Sequence, residues 1–191
     1  IDNLVKKEVN EKMKILVPQF GELSKELTKD LDKSIKKDKG IFFTPFNIIK
    51  KSGDIIFEWC NSNDNKLIDI LEPSCGSCEY IKYLDYHLNN VNIDGIEYDD
   101  TIYDRIKSLD FRNNVNLTKM DYLQHDNDKK YDLIIGNPPY FVIKQSEVRK
   151  EYKDFYDGRP NIFVLFIIHS LLVPETFVLH SFFLSFCHIV P

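Results

Sequence analysis

From position 67 onward, apolar residues fall in short runs that alternate with longer stretches where they recur every third or fourth position. Residues 67–71, 91–96, 115–119 and 131–135 are the short runs and predict strands, while 78–88 and 101–109 carry the helical period. Strands separated by amphipathic helices predict an α/β fold with a doubly wound, mostly parallel sheet, because parallel neighbours need a crossover and the crossover helices cover both faces. Ligands of such a sheet sit at the carboxyl ends of its strands. Upstream, 4–17 and 20–35 read as two amphipathic helices broken at Pro18, the second carrying Phe20, Leu23, Leu27, Leu31 and Ile35 on one face. They predict a helical extension over 1–38 that packs on the core as a hairpin. Gly40 reads as a helix terminator, 46–60 as a further helix and 61–66 as a polar loop.

Composition narrows the class. At 191 residues, 43% hydrophobic and 29% charged, the chain has the size and balance of one soluble globular domain. No uninterrupted apolar run reaches the ~18 residues of a membrane span, and 1–11 is mixed-charge rather than basic then apolar, so no signal peptide is expected. The expected setting is cytoplasmic or another reducing compartment. Four scattered cysteines agree, being too few for a disulfide framework. Cys75 and Cys78 have CxxC spacing, but no second Cys or His pair completes a metal set, and no metal is expected. Net charge is −5, yet it is uneven: residues 1–51 hold 12 Lys against 8 acids, and the remainder 13 Lys and Arg against 22 acids. A basic helical arm could touch phosphates, although a solvated helix face is the commoner cause of such a run.

The chemistry lies where the strands end. After 67–71 comes Glu72-Pro73-Ser74-Cys75-Gly76-Ser77, a small-residue turn that lets a ligand approach the backbone ahead of a helix. After 91–96 comes Glu97, where a carboxylate can accept from both hydroxyls of a ribose. Asp121, in Met120-Asp121-Tyr122 beyond the third strand, can accept from an adenine amine. Beyond the fourth strand stands Asn137-Pro138-Pro139-Tyr140. An exocyclic amine conjugated to a ring is a poor nucleophile because its lone pair is delocalised. The Asn137 side-chain oxygen and the Pro138 carbonyl offer two acceptors that draw its hydrogens out of the ring plane. Pro139 stiffens the loop and Tyr140 offers a face for a base to stack on. No nucleophilic Cys or Ser is required, and the five histidines show no ligand spacing. Plainer readings stand beside these. Asn-Pro and Pro-Pro are ordinary loop punctuation, Thr44 and Pro45 suit a helix start, and Asp121 suits a turn cap. Phe163 and Phe166 suit an apolar helix core, whereas Glu97, Asp99 and Asp100 repel one another unless partnered.

Taken together, 39–166 resembles the S-adenosylmethionine-dependent adenine-specific DNA methyltransferases of restriction-modification systems, in the subgroup whose cofactor motif lies N-terminal to the catalytic one. Lys39-Gly40-Ile41-Phe42-Phe43-Thr44-Pro45 is similar to that motif, which implies that Phe43, Thr44 and Pro45 line the methionine part of the cofactor. The resemblance further implies a Rossmann-like class I methyltransferase fold over 39–191. It puts Glu72 near the cofactor's amino-acid end, in a turn whose Pro73, Cys75 and Gly76 also bind cofactor, Glu97 on its ribose, Ile96 and Tyr98 flanking its adenine, and Asp121 at the adenine amine with Tyr122 beside it in the cofactor site. Asn137, Pro138, Pro139 and Tyr140 become the catalytic tetrapeptide, and 161–166 the helix after it, with Phe166 and then Phe163 packing on cofactor or target base. Its implied partner is DNA.

Two departures qualify the resemblance. Cys78 stands where the family has a glycine, so its side chain either crowds the cofactor's carboxylate or points away at the helix start. The segment 174–176 lacks a glycine and 177–190 fits a strand pattern poorly. The expectation is a catalytic domain cut short or altered at its end, without a target-recognition domain, that needs another domain or subunit for specific DNA. Rival substrates that share the tetrapeptide are the glutamine amide of a release factor and adenine in RNA. A fourth reading is a remnant that only binds cofactor.

Overall fold

A computed structural model describes residues 20–61, 66–124, 129–172 and 177–178 of the chain. The helix expected over 4–17 lies outside these residues, as does most of the 61–66 loop. The predicted helix over 20–35 is instead two: α1 (Glu22–Asp30) and α2 (Lys33–Asp38). Leu31 is extended (φ −77°, ψ 128°), and the Asp32 carboxylate accepts from the Ser34 N–H and hydroxyl, so the chain stops and restarts its helix. A side-chain cap overrides the apolar period at this point. Leu31 still buries, against Leu27 and Ile102.

Beyond Gly40 the order is α3 (Phe46–Asn61), β1 (Ile68–Glu72), α4 (Glu79–His87), β2 (Val91–Glu97), α5 (Asp100–Ile106), β3 (Asn114–Lys119), β4 (Leu133–Ile134), α6 (Ile162–Leu172) and β5 (Phe177–Val178). All strand pairs are parallel, in the order β3-β2-β1-β4-β5. The 177–190 run, read as a poor strand, thus contributes β5 against β4. Alternation sorts the core: Leu133 and Ile135 join Ile70, Ile93 and the α3 and α4 side chains Ile49, Ile56, Ile81 and Leu84 on one face. Ile134 joins Leu71, Ile96, Leu165 and Phe166 on the other. With helices on both faces, the sheet is doubly wound as its pattern predicts.

This topology fixes where a site can be. The chain steps outward from β1 to β2 to β3, then returns to place β4 on the other side of β1. Loops leaving β1 and β4 therefore diverge and open a crevice at the carboxyl edge. The loop after β1 carries Glu72 to Cys78, and the loop after β4 carries Asn137 to Tyr140.

Candidate active site

A cavity of about 320 Å³ opens at that crevice, walled by the loops after β1, β2, β3 and β4, by the segment 39–43 and by α6. Phe43, Pro73, Gly76, Glu97, Tyr98, Asp121, Tyr122, Asn137, Pro139 and Phe166 all line it. Four strand ends separated in sequence thus meet around one space.

The loop after β4 is gripped by the strap, residues 39–45, that precedes α3. Asn137 Nδ2 donates to the Phe42 carbonyl at 3.2 Å, across 95 positions of sequence. That bond commits the nitrogen and leaves Oδ1 as the acceptor. Oδ1 in turn accepts from the Tyr140 hydroxyl at 3.0 Å, and burial pushes the Tyr140 phenol up, keeping it a donor. The Tyr140 N–H donates to the Gly40 carbonyl at 3.3 Å, and its ring meets Phe42 edge-on and tilts against Phe163 at 5.6 Å. Gly40 has φ +58°, and a Cβ there would lie 2.5 to 2.6 Å from the Tyr140 backbone. Only glycine lets the two main chains touch. Gly40 terminates α2 as expected, and the same residue seats the catalytic loop.

The acids after β2 are sorted by their partners. Glu97 Oε2 accepts from the Gly76 N–H at 2.9 Å and Oε1 from the Asp99 N–H at 2.7 Å. Burial pushes its carboxyl up to about 7 against those two donors. Asp99 caps α5 by accepting from the N–H groups of Thr101 and Ile102, and pairs with Lys39 at 2.6 Å. Burial raises it, but Lys39 and the helix N–H groups outweigh that and hold it below the usual carboxylate range. Asp100 pairs with Lys119. The repulsion expected among these three acids is thereby relieved.

Behind the wall lies Glu72, 3% exposed, its carboxyl pushed well up by burial and by the proximity of Cys78 and Glu97. Its Oε2 and the hydroxyl of Ser74 are buried without a hydrogen-bond partner. Ser74 lines the cavity, so one orphaned polar atom stands at its edge. Gly76 (φ +52°) leaves the backbone open beside the Phe43 ring, which a Cβ would meet at 3.7 Å. A carboxylate with spare lone pairs, a bare turn, an orphaned hydroxyl and aromatic walls fit a nucleoside with a polar tail. Cys78 adopts the left-handed conformation (φ 61°, ψ 29°) suited to glycine, yet its side chain is fully buried in the core and does not reach the cavity. Of the two possibilities for that departure, pointing away holds.

Other expected residues sit one layer back. Thr44, Pro45, Glu72, Cys75, Pro138, Tyr140 and Phe163 are not on the cavity wall. Pro45 precedes α3, its carbonyl accepting from Ile48 and Ile49, which is the helix-start reading. Asp121 caps a turn through Leu123 N and also lines the cavity. Tyr122 is 2% exposed, bonded to Ser170 and stacked near Phe166, so it belongs to the core as much as to the site. Lys39, Gly40, Phe42 and Ser74, which lie in the N-terminal motif and in the turn after β1 but for which the sequence predicts no individual role in the site, also line it. So do Glu147, Val148, Arg149 and Tyr152, from short 3-10 turns between the catalytic loop and α6 that carry no strong pattern. Among the described residues no helix is long and apolar enough to cross a membrane.

Comparison with known proteins agrees with this geometry. Residues 10–176 match the Eco57I restriction-modification methylase family. The type II methyltransferase M.CvrRI of Paramecium bursaria Chlorella virus XZ-6E is 38% identical over 126 residues, covering 64% of this chain and 30% of that protein. M.AccI of Acinetobacter calcoaceticus is 31% identical over 163 residues, 78% of this chain and 29% of its own length. The modification methylase CviBIII of Paramecium bursaria Chlorella virus NC1A is 28% identical over 179 residues, 87% of this chain and 46% of its own. The chain thus spans between 29% and 46% of the length of these relatives. Matched over 10–176, a span that includes α1, the loop after β4 and α6, the chain belongs to the Eco57I restriction-modification methylase family, whose members are S-adenosylmethionine-dependent methyltransferases.

Proposed function

We propose that residues 39–191 are the catalytic domain of an adenine-specific DNA methyltransferase, acting on the exocyclic amine of an adenine turned out of the duplex, as in restriction-modification. The observation that carries this reading is the hold on Asn137: with Nδ2 bound to the Phe42 carbonyl, the side chain presents Oδ1 in the same cavity as Glu97. When bound, S-adenosylmethionine supplies a methyl group activated by its sulfonium charge. Glu97 would accept from the ribose hydroxyls, Asp121 from the cofactor's adenine amine, and Phe43, Pro73, Gly76 and Tyr98 would wall the remainder. Tyr122 would wall it beside Asp121, and Glu72, Cys75, Thr44 and Pro45 support that wall from behind.

On the substrate side, Asn137 Oδ1 and the Pro138 carbonyl accept the two hydrogens of the amine and localise its lone pair. Pro139 keeps both acceptors in place before substrate arrives, so little reorganisation is needed. The Tyr140 hydroxyl donates to one lone pair of Oδ1 and orients it, leaving the second for the amine. Phe166 and Phe163 supply packing against the ring. A reducing intracellular compartment suits the buried thiols of Cys60, Cys75 and Cys78. Site recognition falls to a further domain or subunit.

Incubation with labelled S-adenosylmethionine and, in parallel, duplex DNA, single-stranded DNA, RNA or release factor tests the reading. Label entering adenine of DNA, and lost in Asn137→Ala, is expected. Label confined to RNA or to release factor would overturn the substrate, and cofactor binding without transfer to any of them would overturn the catalytic role.

A further inference from the structure

The strap that closes the active site has a second face. Ile41, Phe42 and Phe43 line the catalytic cavity on one side and, on the other, a groove beneath α1 and α2. Five lysines border this groove: Lys25, Lys29, Lys33, Lys36 and Lys37. No acidic residue among the described ones lines it. Its floor is aromatic, from Phe20, Phe42 and Phe43, and Phe42 is 61% exposed.

Helical spacing explains how the charge is sorted. Lys25 and Lys29 are one turn apart on α1, and Lys33 and Lys37 one turn apart on α2. The other faces of α1 are already used. Leu27 packs on Ile102, Ser24 bonds to Ser77 and Glu79, and Glu26 and Asp30 both pair with Arg105. Those contacts hold the hairpin on the body and draw its acids away from the groove. Lys25 pairs with Glu22 and Lys36 donates to the Thr28 carbonyl, while Lys29, Lys33 and Lys37 have no ion pair or hydrogen bond among the described residues. Three lysines thus stand at one rim, on α2 and on the last turn of α1, with Glu22 as the acid that Lys29 feels across its helix.

We propose that this groove holds the sugar-phosphate backbone of the DNA strand next to the target base, with Phe42 as a stacking face for a neighbouring base. The inference rests on the DNA-methyltransferase reading above and adds the surface that reading lacks. A chain of net charge −5 offers few places where a polyanion can approach. Here five of the twelve lysines of residues 1–51 border one groove, and its rim adjoins the residue whose carbonyl holds Asn137. Lysines that track a backbone beside an exposed aromatic ring are the usual composition of a strand-binding groove. Phosphate contacts there would offset the cost of unstacking the target base, a few kcal/mol.

Fluorescence anisotropy of the full chain with a labelled DNA duplex, titrated across salt concentrations, tests the groove. Lys29→Glu/Lys33→Glu/Lys37→Glu is expected to weaken binding by at least about tenfold and to flatten the dependence of log K on log salt by roughly 2.7, about 0.9 for each phosphate no longer neutralised. Lys50→Glu/Lys51→Glu/Lys107→Glu, an equal charge change elsewhere, should leave both nearly unchanged. Equilibrium dialysis with labelled S-adenosylmethionine and a thermal melt confirm that each variant is folded and binds cofactor. If the groove variant binds like wild type, or the control falls as far, the surface is wrong. In that case Asn137-dependent label in DNA would still uphold the methyltransferase reading. A wild-type chain that binds cofactor but neither binds nor labels DNA would sink both.

Discussion

In the proposed reaction Asn137 supplies the side-chain acceptor, and its two side-chain polar atoms are unequal: Nδ2 donates to the Phe42 carbonyl and Oδ1 accepts from the Tyr140 hydroxyl. Replacing it with alanine removes the acceptor and should lower single-turnover methyl transfer by ~10²–10³, the cost of losing one preorganised polar contact. Cofactor affinity by equilibrium dialysis should stay within about twofold. Asn137→Asp should be as inactive, because a carboxylate oxygen would face the Phe42 carbonyl where an N–H now donates. Tyr140→Phe isolates this orienting donor: it removes the bond to Oδ1, keeps the ring, and should lower single-turnover transfer less than Asn137→Ala does. At Glu97, both oxygens accept backbone N–H groups, so Glu97→Gln sets an NH₂ against one of them. Binding of a nucleoside cofactor should then weaken by about tenfold or more. In the wild type, hydroxyl donors favour the charged form of a carboxyl that sits at about 7 in the free protein. Affinity should therefore rise with pH up to about 7, level off above it, and lose this dependence in Glu97→Gln; calorimetry across pH measures it.

Among the elements, the strap and the loop after β4 behave as one unit joined by backbone atoms. Gly40→Ala adds a Cβ within 2.6 Å of the Tyr140 main chain at φ +58°. Strain of about 1–2 kcal/mol from the left-handed conformation alone should lower the melting temperature by several degrees. Turnover should fall further than cofactor affinity, because Tyr140 and Asn137 move together. These grips were not legible in the sequence for a physical reason. Carbonyls of Gly40 and Phe42 belong to any residue, so no side chain marks them. By contrast Glu72, Glu97 and Asn137 were legible, because each is a chemically specific side chain at the end of an alternating apolar run. The break at Leu31 was missed because the apolar period runs on through it, and the Asp32 cap that interrupts it is a local competitor. The two residues of β5 were hidden inside a mostly apolar run, 177–190, whose scattered His and Ser set no strand alternation. For Cys78 the sequence showed an unusual residue and left open where its sulfur points, which depends on packing behind β1.

For the molecule as a whole, two carboxyls buried behind one crevice make stability depend on pH in an unusual direction. Glu97 is pushed up to about 7 and Glu72 well above its ordinary 4.5. Groups raised in the folded state contribute stability that is complete below the unfolded value and is lost as pH rises through the folded one. Urea midpoints of the free protein should accordingly fall between about pH 5 and pH 8, and Glu97→Gln should reduce that slope. Carboxyls held low, such as Asp99 and Asp132, act only in stronger acid and leave this window alone. The doubly wound sheet itself was readable from alternation alone, since it needs nothing beyond strand and helix periods. How α1 docks was not, because Ser24 on Ser77 and Arg105 between Glu26 and Asp30 are long-range choices among many equivalent polar side chains.

The bond from Asn137 to Phe42 spans 95 positions. During synthesis the ribosome releases the strap first and the asparagine only after most of the sheet has emerged. Until then the nascent polypeptide has half a doorway, and any nucleotide it meets can drift out again. Competence to retain a ligand should arrive abruptly, late in translation, when the far jamb swings against a frame that has been waiting for it.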